Sequence, residues 1–144
     1  MRPHQAFTLL EVLLSVSLIA ALAALSTPVF RMFQVKNNLD NAAVTVAQTW
    51  RRSQVLSQAA ADDSSWGTYV QVGSITLFKG VSYISRDTDW DEVFPVAGNI
   101  TPTGLQEVVF SRFYGLPQAT GTLSFSAFEE VRTVNINAKG TVGY

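Results

Sequence analysis

The 144-residue chain has no cysteine and a single histidine. The first absence excludes disulfides and thiolate metal sites, though it does not identify the compartment. An exported protein can do without disulfides when its core is large enough. The second absence is as informative. His4 is the only imidazole, so the rest of the chain lacks the usual nucleophile–base pairs and zinc clusters. Lys36, Lys79 and Lys139 have no motif around them that would support Ser–Lys chemistry. The chain is read as a non-enzyme, with no cofactor expected. Charge is sparse and balanced: ten Lys and Arg face eleven Asp and Glu, a net charge of -1. That provides no bulk attraction for nucleic acid. No internal repeat or low-complexity segment is visible.

What the chain does have is a long apolar run near its start. Between Val12 and Leu25 the only polar residues are Ser15 and Ser17. As a helix, Phe7 to Phe30 would extend about 36 Å, enough to cross roughly 30 Å of hydrocarbon. Three plain readings compete: a cleaved secretory signal, with "AALAALS" as its small-residue site, a membrane anchor, and a buried core helix. Glu11 fits none of them well, because a carboxylate in hydrocarbon costs roughly 3 kcal/mol. Ahead of it lies the short basic segment "MRPHQA", whose Arg2 favours the cytoplasmic side. A cut between Ala6 and Phe7 would create a new ammonium four positions before Glu11. In a stack of parallel helices the carboxylate of one chain can meet the ammonium of the next. That pairing removes two uncompensated charges together.

The stretch "FTLLEVLLSVSLIAALAALSTPVF" resembles the amino-terminal signature of type IV pilins and type II secretion pseudopilins. The resemblance implies cleavage by prepilin peptidase between Ala6 and Phe7, N-methylation of Phe7, and assembly roles for Glu11 and Pro28. Ala6 departs from the pattern, which usually has glycine before the cut. The implied partners are other pilin or pseudopilin subunits, prepilin peptidase, the inner-membrane assembly platform and the lipid bilayer. The implied location is the cytoplasmic membrane, as a single pass with the carboxyl-terminal part outside, and then a periplasmic or cell-surface filament.

Pro28 lacks an N–H and would kink or locally melt a helix, or end it at the membrane surface. The pattern beyond it favours continuation. Val35, Leu39, Ala42, Ala43, Val46 and Trp50 recur at spacings of three and four, with polar residues on the other faces. The helix is expected to reach about Ala60, near "DDSS". The period then changes. "WGTYVQV" (66–72) reads as a strand turning through "GS" into "ITLF", and "VSYIS" follows in the strand series. "DTDWDEVFPVAGNITPTG" (87–104) carries turn and loop signals. "EVVFSRFY", "GTLSFSAF" and "VRTVNIN" alternate again, with "EE" (129–130) and "AKG" (138–140) closing hairpins. The expected fold is α+β: a long helix, membrane-embedded in its first half and amphipathic in its second, packed on an antiparallel β-sheet head. The expected segments are a leader (1–6), the membrane half of the stem (7–30), its amphipathic half (31–60) and the head (61–144).

The head resembles the GspH/FimT-like minor pilin head through Phe110, Gly115, Gly121, Ile136 and Gly140. These are strand apolars and turn glycines, so they mark fold and not chemistry. A general type IV pilin of similar shape is the competing assignment. Two further groups of charged residues bear on function. Asp87, Asp89 and Asp91 alternate like the opening of a calcium loop. However, Glu92 stands where glycine is expected, and Gly98 stands where a bidentate Glu is expected. A solvated acidic loop is the plainer reading, with calcium as the alternative. Arg112, Arg132 and Lys139 would suit a DNA-binding minor pilin for natural transformation if adjacent strands brought them together. Glu107, Glu129 and Glu130 oppose that reading, and the carboxyl end lacks an Arg-rich tail. The functional expectation is a structural, minor subunit of a pilus or secretion pseudopilus.

Overall fold

The computed structural model describes residues 7–144, with the side chains of residues 24–29 outside that description. The chain divides into two units, Met1–Gln34 and Val35–Tyr144. The helix α1 (Leu9–Gln58) has 50 residues and its backbone runs through position 28, so the proline does not end it. The Pro28 side chain lies outside the described residues.

In the second unit, α1 buries Leu39, Ala42, Ala43, Val46, Ala47 and Trp50, with Val35 packed at the margin. Their spacing places them on one stripe of a 3.6-residue helix. Farther along, the stripe becomes small and polar: Thr49, Ser53 and Ser57 are buried at spacings of four. Ser53 Oγ lies 2.8 Å from Thr68 Oγ1, and the Trp66 N–H donates to Ser57 Oγ at 2.9 Å. These short side chains bring helix and strand together without leaving a buried hydroxyl unpaired. The helix stops at Gln58, two positions before the expected Ala60. Ala60 takes a left-handed conformation, φ 46°, and a 3-10 turn follows at Ala61–Asp63. A left-handed residue just past a helix is a common way to end it.

The strands form two antiparallel sheets where the sequence suggested one head sheet. The first contains β1 (Trp66–Gln71), β2 (Ser74–Lys79), β3 (Asp87–Pro95) and β5 (Glu107–Phe110), in the order β3-β2-β1-β5. The second contains β4 (Thr101–Gly104), β6 (Gly121–Ala127), β7 (Glu130–Ile136) and β8 (Val142–Gly143), in the order β4-β6-β7-β8. Val70, Ile75, Val108 and Phe110 of the first sheet meet Leu123, Phe125, Val134 and Ile136 of the second in one core, with the α1 stripe. At the end of β4, Gly104 has φ 89°, and a Cβ there would strike the Thr122 carbonyl. A side chain at that position would clash with the neighbouring strand.

Two expectations from the sequence are corrected. "VSYIS" is not a strand: residues 80–86 form a loop. It folds over the face of the first sheet that points away from α1. Tyr83 stacks on Tyr69 with centroids 4.0 Å apart and meets Phe78 edge-on at 5.7 Å. Its backbone N–H donates to Glu107 Oε1 at 2.8 Å. Arg86 fastens the loop, lying 3.8 Å over the Tyr83 ring and donating from Nε to both oxygens of Asp91, at 3.0 and 2.8 Å. The hydrogen bond to Asp91 holds the guanidinium pKa above its ordinary value, although burial opposes this. The apolar letters of "VSYIS" therefore serve as a lid over Phe78 and not as a ladder.

The second correction concerns residues 87–104, which contain β3 and β4 where a continuous loop was expected. β3 pairs with β2 from Ser74↔Pro95 to Lys79↔Asp87, with an irregularity between Leu77 and Lys79. Its acidic residues find cations elsewhere. Lys79 lies 3.8 Å from Asp87, and Arg52 of α1 reaches Glu92 at 2.5 Å. β3 is an edge strand, where charge also discourages pairing with another chain. In the segment 107–114, the strand ends at Phe110, and Ser111 to Tyr114 leave the sheet.

Arg86→Ala is expected to leave the core intact and to speed amide exchange in residues 80–86. Hydrogen exchange followed by mass spectrometry checks this. An equal rise along α1 residues 39–50 would contradict the local role given to the loop.

Candidate assembly segment

Phe7 and Thr8 precede the first helical residue. Thr8 acts as the cap: its carbonyl accepts from the N–H groups of Glu11 at 3.1 Å and Val12 at 3.2 Å, and its Oγ1 accepts from Glu11 N–H at 3.3 Å. Thr8 and Glu11 thus have the S/T-x-x-E spacing of a capping box, a signal the sequence reading did not use. At this third helical position Glu11 also faces the positive end of the helix dipole. Its carboxylate is exposed, as is Phe7. The segment therefore presents an anionic group one turn from residue 7 on a rigid element.

The helix beyond it is apolar on every side. Leu9, Leu10, Leu13, Leu14, Leu18, Ile19 and Leu22 are all exposed, so no stripe is covered within this unit. A helix of this kind needs apolar surroundings all round. Its two serines do not disturb that requirement. Ser15 Oγ donates to the Glu11 carbonyl at 2.7 Å and Ser17 Oγ to the Leu14 carbonyl at 2.9 Å. Among the described residues, no helix is long and apolar enough to cross a membrane. Residues 24–29, toward the end of the expected span, have no described side chains. Ala6, on the other side of the expected cut, lies outside the described residues.

The acidic group does not gather into a site. Asp91 is held by Arg86 and Asp87 faces Lys79. Among the described residues, no cluster of three or more metal-type ligands is present. Trp90 packs edge-on to Trp66 at 6.1 Å and carries Lys79 Nζ 4.7 Å from its centroid, yet remains 44% exposed.

Nor do the three basic candidates form one surface. Arg112 pairs with Asp63, beyond the end of α1. Arg132 on β7 donates from Nε to Asp40 Oδ1 at 2.6 Å, and that bond holds its pKa above the ordinary value. Lys139 lies in the β7–β8 turn, whose carbonyl accepts from Gln54 at 3.2 Å. Asp40 and Gln54 are fourteen residues apart, about 21 Å along the helix. Arg132 is therefore remote from Lys139, and both arginines are already neutralised by carboxylates. The resemblance glycines Gly115 and Gly140 lie against α1, where added Cβ atoms would meet the side chains of Gln58 and Gln54.

Residues 1–27 match a family model described as the prokaryotic N-terminal methylation motif. No curated protein and no solved structure matches the chain. The motif supports a type IV pilin-like protein, a pilin- or pseudopilin-type subunit processed by prepilin peptidase. It indicates a structural subunit and not an enzyme, and implies assembly with other pilin subunits.

Proposed function

We propose that this chain is a minor structural subunit of a type IV pilus or type II secretion pseudopilus. Prepilin peptidase cuts between Ala6 and Phe7, and Phe7 becomes the N-methylated amino terminus. The stem from Phe7 to Phe30 waits in the cytoplasmic membrane as a single pass, with residues 61–144 outside. The assembly platform then draws it into a filament. The observation that carries this reading is the methylation motif over residues 1–27. The geometry of Thr8 and Glu11 supports it in detail. The cap fixes where the helix starts, and so fixes the carboxylate one turn from the new ammonium. Apolar contact between stems supplies the cohesion, and the Glu11–ammonium pair sets the axial step between neighbours.

Glu11 is suited to this role because a buried ion pair is a better specifier of register than of stability. An apolar helix can slide against its neighbours at little cost, whereas an unpaired carboxylate in hydrocarbon cannot. A slip of one turn would strand both charges. Ala6 is small enough to stand in for glycine at the cut.

The test is the mass of the chain after coexpression with a prepilin peptidase. A product starting at Phe7, heavier by one methyl group when the methyltransferase activity is present, is expected. Cleavage after Ala24, or an uncut chain, would contradict the reading in favour of a secretory signal or a plain anchor.

A further inference from the structure

We propose that the tip of the β6–β7 hairpin is a second membrane contact, with Phe128 inserted into the headgroup layer of a zwitterionic lipid surface while the subunit waits for assembly. The inference rests on the membrane-stem reading above and adds the part of the head that meets the bilayer.

The hairpin points toward the end of the Val35–Tyr144 unit at which α1 enters. β7 and the turn after it meet α1 in chain order. Glu130 pairs with Lys36 at 3.2 Å, Arg132 with Asp40 at 2.6 Å, and the Lys139 carbonyl accepts from Gln54 at 3.2 Å. The strand therefore runs alongside the helix in the same direction. Ala127 stands opposite Glu130, so Phe128 and Glu129 form a turn beyond the first of these contacts. Lys36 follows Phe30, the last residue of the expected membrane half, by six positions, about 9 Å of helix. Phe128 precedes Glu130 by two positions, about 7 Å of strand toward that side. The polar layer of a bilayer is about 5–8 Å deep on each side of the hydrocarbon. On those lengths the tip reaches the headgroups.

Phe128 takes the first position of a two-residue turn with φ 55°, a place that favours glycine, and it is 86% exposed. Packing within the chain gives no reason for a phenylalanine there. Segments that lie at the headgroup–acyl boundary bury such side chains.

The rest of that end is poor in charge. β1 and β2 join through Val72 and Gly73, and the Gly73 carbonyl accepts from the Val96 N–H at 3.0 Å. The Ala97 carbonyl then accepts from the Ile100 N–H at 3.0 Å. A cleft lined by Asn38, Asn41, Pro95 and Ala97 sets this segment against the first turns of α1 in the unit. Across residues 72–73, 97–100 and 128–129, Glu129 is the only charge. The opposite end carries Asp62, Asp63, Arg112 and Lys139. Phe113 and Tyr114 are exposed there too, but Arg112 lies 4.6 Å from the Phe113 ring centre, in a charged setting. Place and surroundings, more than exposure, set Phe128 apart. Glu129 selects the kind of lipid. An ethanolamine ammonium can pair with its carboxylate, whereas the negative potential of an anionic leaflet repels it.

The test uses the full chain in vesicles of phosphatidylethanolamine and phosphatidylcholine, and the absence of native cysteine permits single labels. A fluorophore is placed by Val131→Cys beside the tip, by Ala138→Cys at the opposite end, or by Leu18→Cys in the stem. Lipids spin-labelled at the headgroup or in the acyl chain serve as quenchers. Headgroup quenching at 131 is expected to be about threefold or more that at 138, because Gln54 lies about 27 Å beyond Lys36 along α1. Phe128→Gly, which relieves the turn, should lower quenching at 131 to the level at 138. Replacing phosphatidylcholine with phosphatidylglycerol should weaken quenching at 131, and Glu129→Gln should remove that dependence. The acyl-chain quencher should reach position 18 throughout. Equal quenching at 131 and 138 would overturn the proposal while leaving the stem reading intact. So would quenching at 131 that survives Phe128→Gly or ignores phosphatidylglycerol. Absence of acyl-chain quenching at 18 would instead sink the stem reading, and the proposal with it.

Discussion

Trp50→Ala is expected to remove about 3–5 kcal/mol from the stability of the Val35–Tyr144 unit, the usual cost of emptying a large aromatic site. The side chain is 0% exposed and lies where α1 meets both sheets. Trp50→Phe should behave very differently. Among the described residues the buried indole Nε1 has no hydrogen-bond partner, and an unpaired buried donor costs about 1–3 kcal/mol. Phenylalanine removes that donor while leaving a smaller void. The two effects oppose each other, so the variant is expected to lie within about 1 kcal/mol of the parent. A chain starting at Phe33 should be soluble and mainly β by circular dichroism, and denaturant unfolding then ranks the three proteins. If alanine and phenylalanine cost the same, the indole would have a partner in solution. If a chain beginning after Ser57 folded cooperatively, α1 would not be the cover described above.

The second large effect concerns Glu11. Replacing it with Leu is expected to leave membrane insertion and cleavage intact while nearly abolishing entry into filaments. Hydrophobicity rises, so insertion should improve, and the loss must then lie in assembly. Glu11→Gln is sharper, because it keeps size and hydrogen bonding and removes only the charge. The partner charge arises from processing, so a chain blocked at Ala6 should be as defective as Glu11→Leu. Sheared filament fractions, compared with membrane fractions from the same cells, provide the readout. Normal incorporation of Glu11→Leu would show that register is set elsewhere. The capping role at Thr8 predicts only a small local effect from the same substitution, because a cap is worth about 1 kcal/mol.

Which parts of this account were legible in sequence follows from how local each signal is. The buried stripe from Leu39 to Trp50 was readable because a helix repeats its environment every three or four residues. The β1–β2 and β6–β7 hairpins were readable because strand and turn signals lie within a few residues of each other. β3 was not. Its acids resemble a solvated loop, and their neutralisation depends on partners such as Arg52, forty positions from Glu92. Arg112 and Arg132 failed as a shared patch for the same reason, since Asp63 and Asp40 are 49 and 92 positions away. The lid formed by residues 80–86 has the letters of a strand, and only the Tyr69 and Phe78 surface beneath it explains its path. The division into two sheets was hidden as well, because alternation marks faces and not neighbours. Glu11 was visible from its setting, a charge in an apolar run, while the Thr8–Glu11 cap was present in the letters and overlooked.

The central claim is that cutting before Phe7 converts this chain into a filament subunit. The most direct measurement is the intact mass of the chain recovered from sheared filaments, after coexpression with a prepilin peptidase and an assembly system. The account predicts a species beginning at Phe7 with one added methyl group and no residues from Met1 to Ala6. Filaments that lack the chain, or that contain it with residues 1–6 still attached, would contradict it.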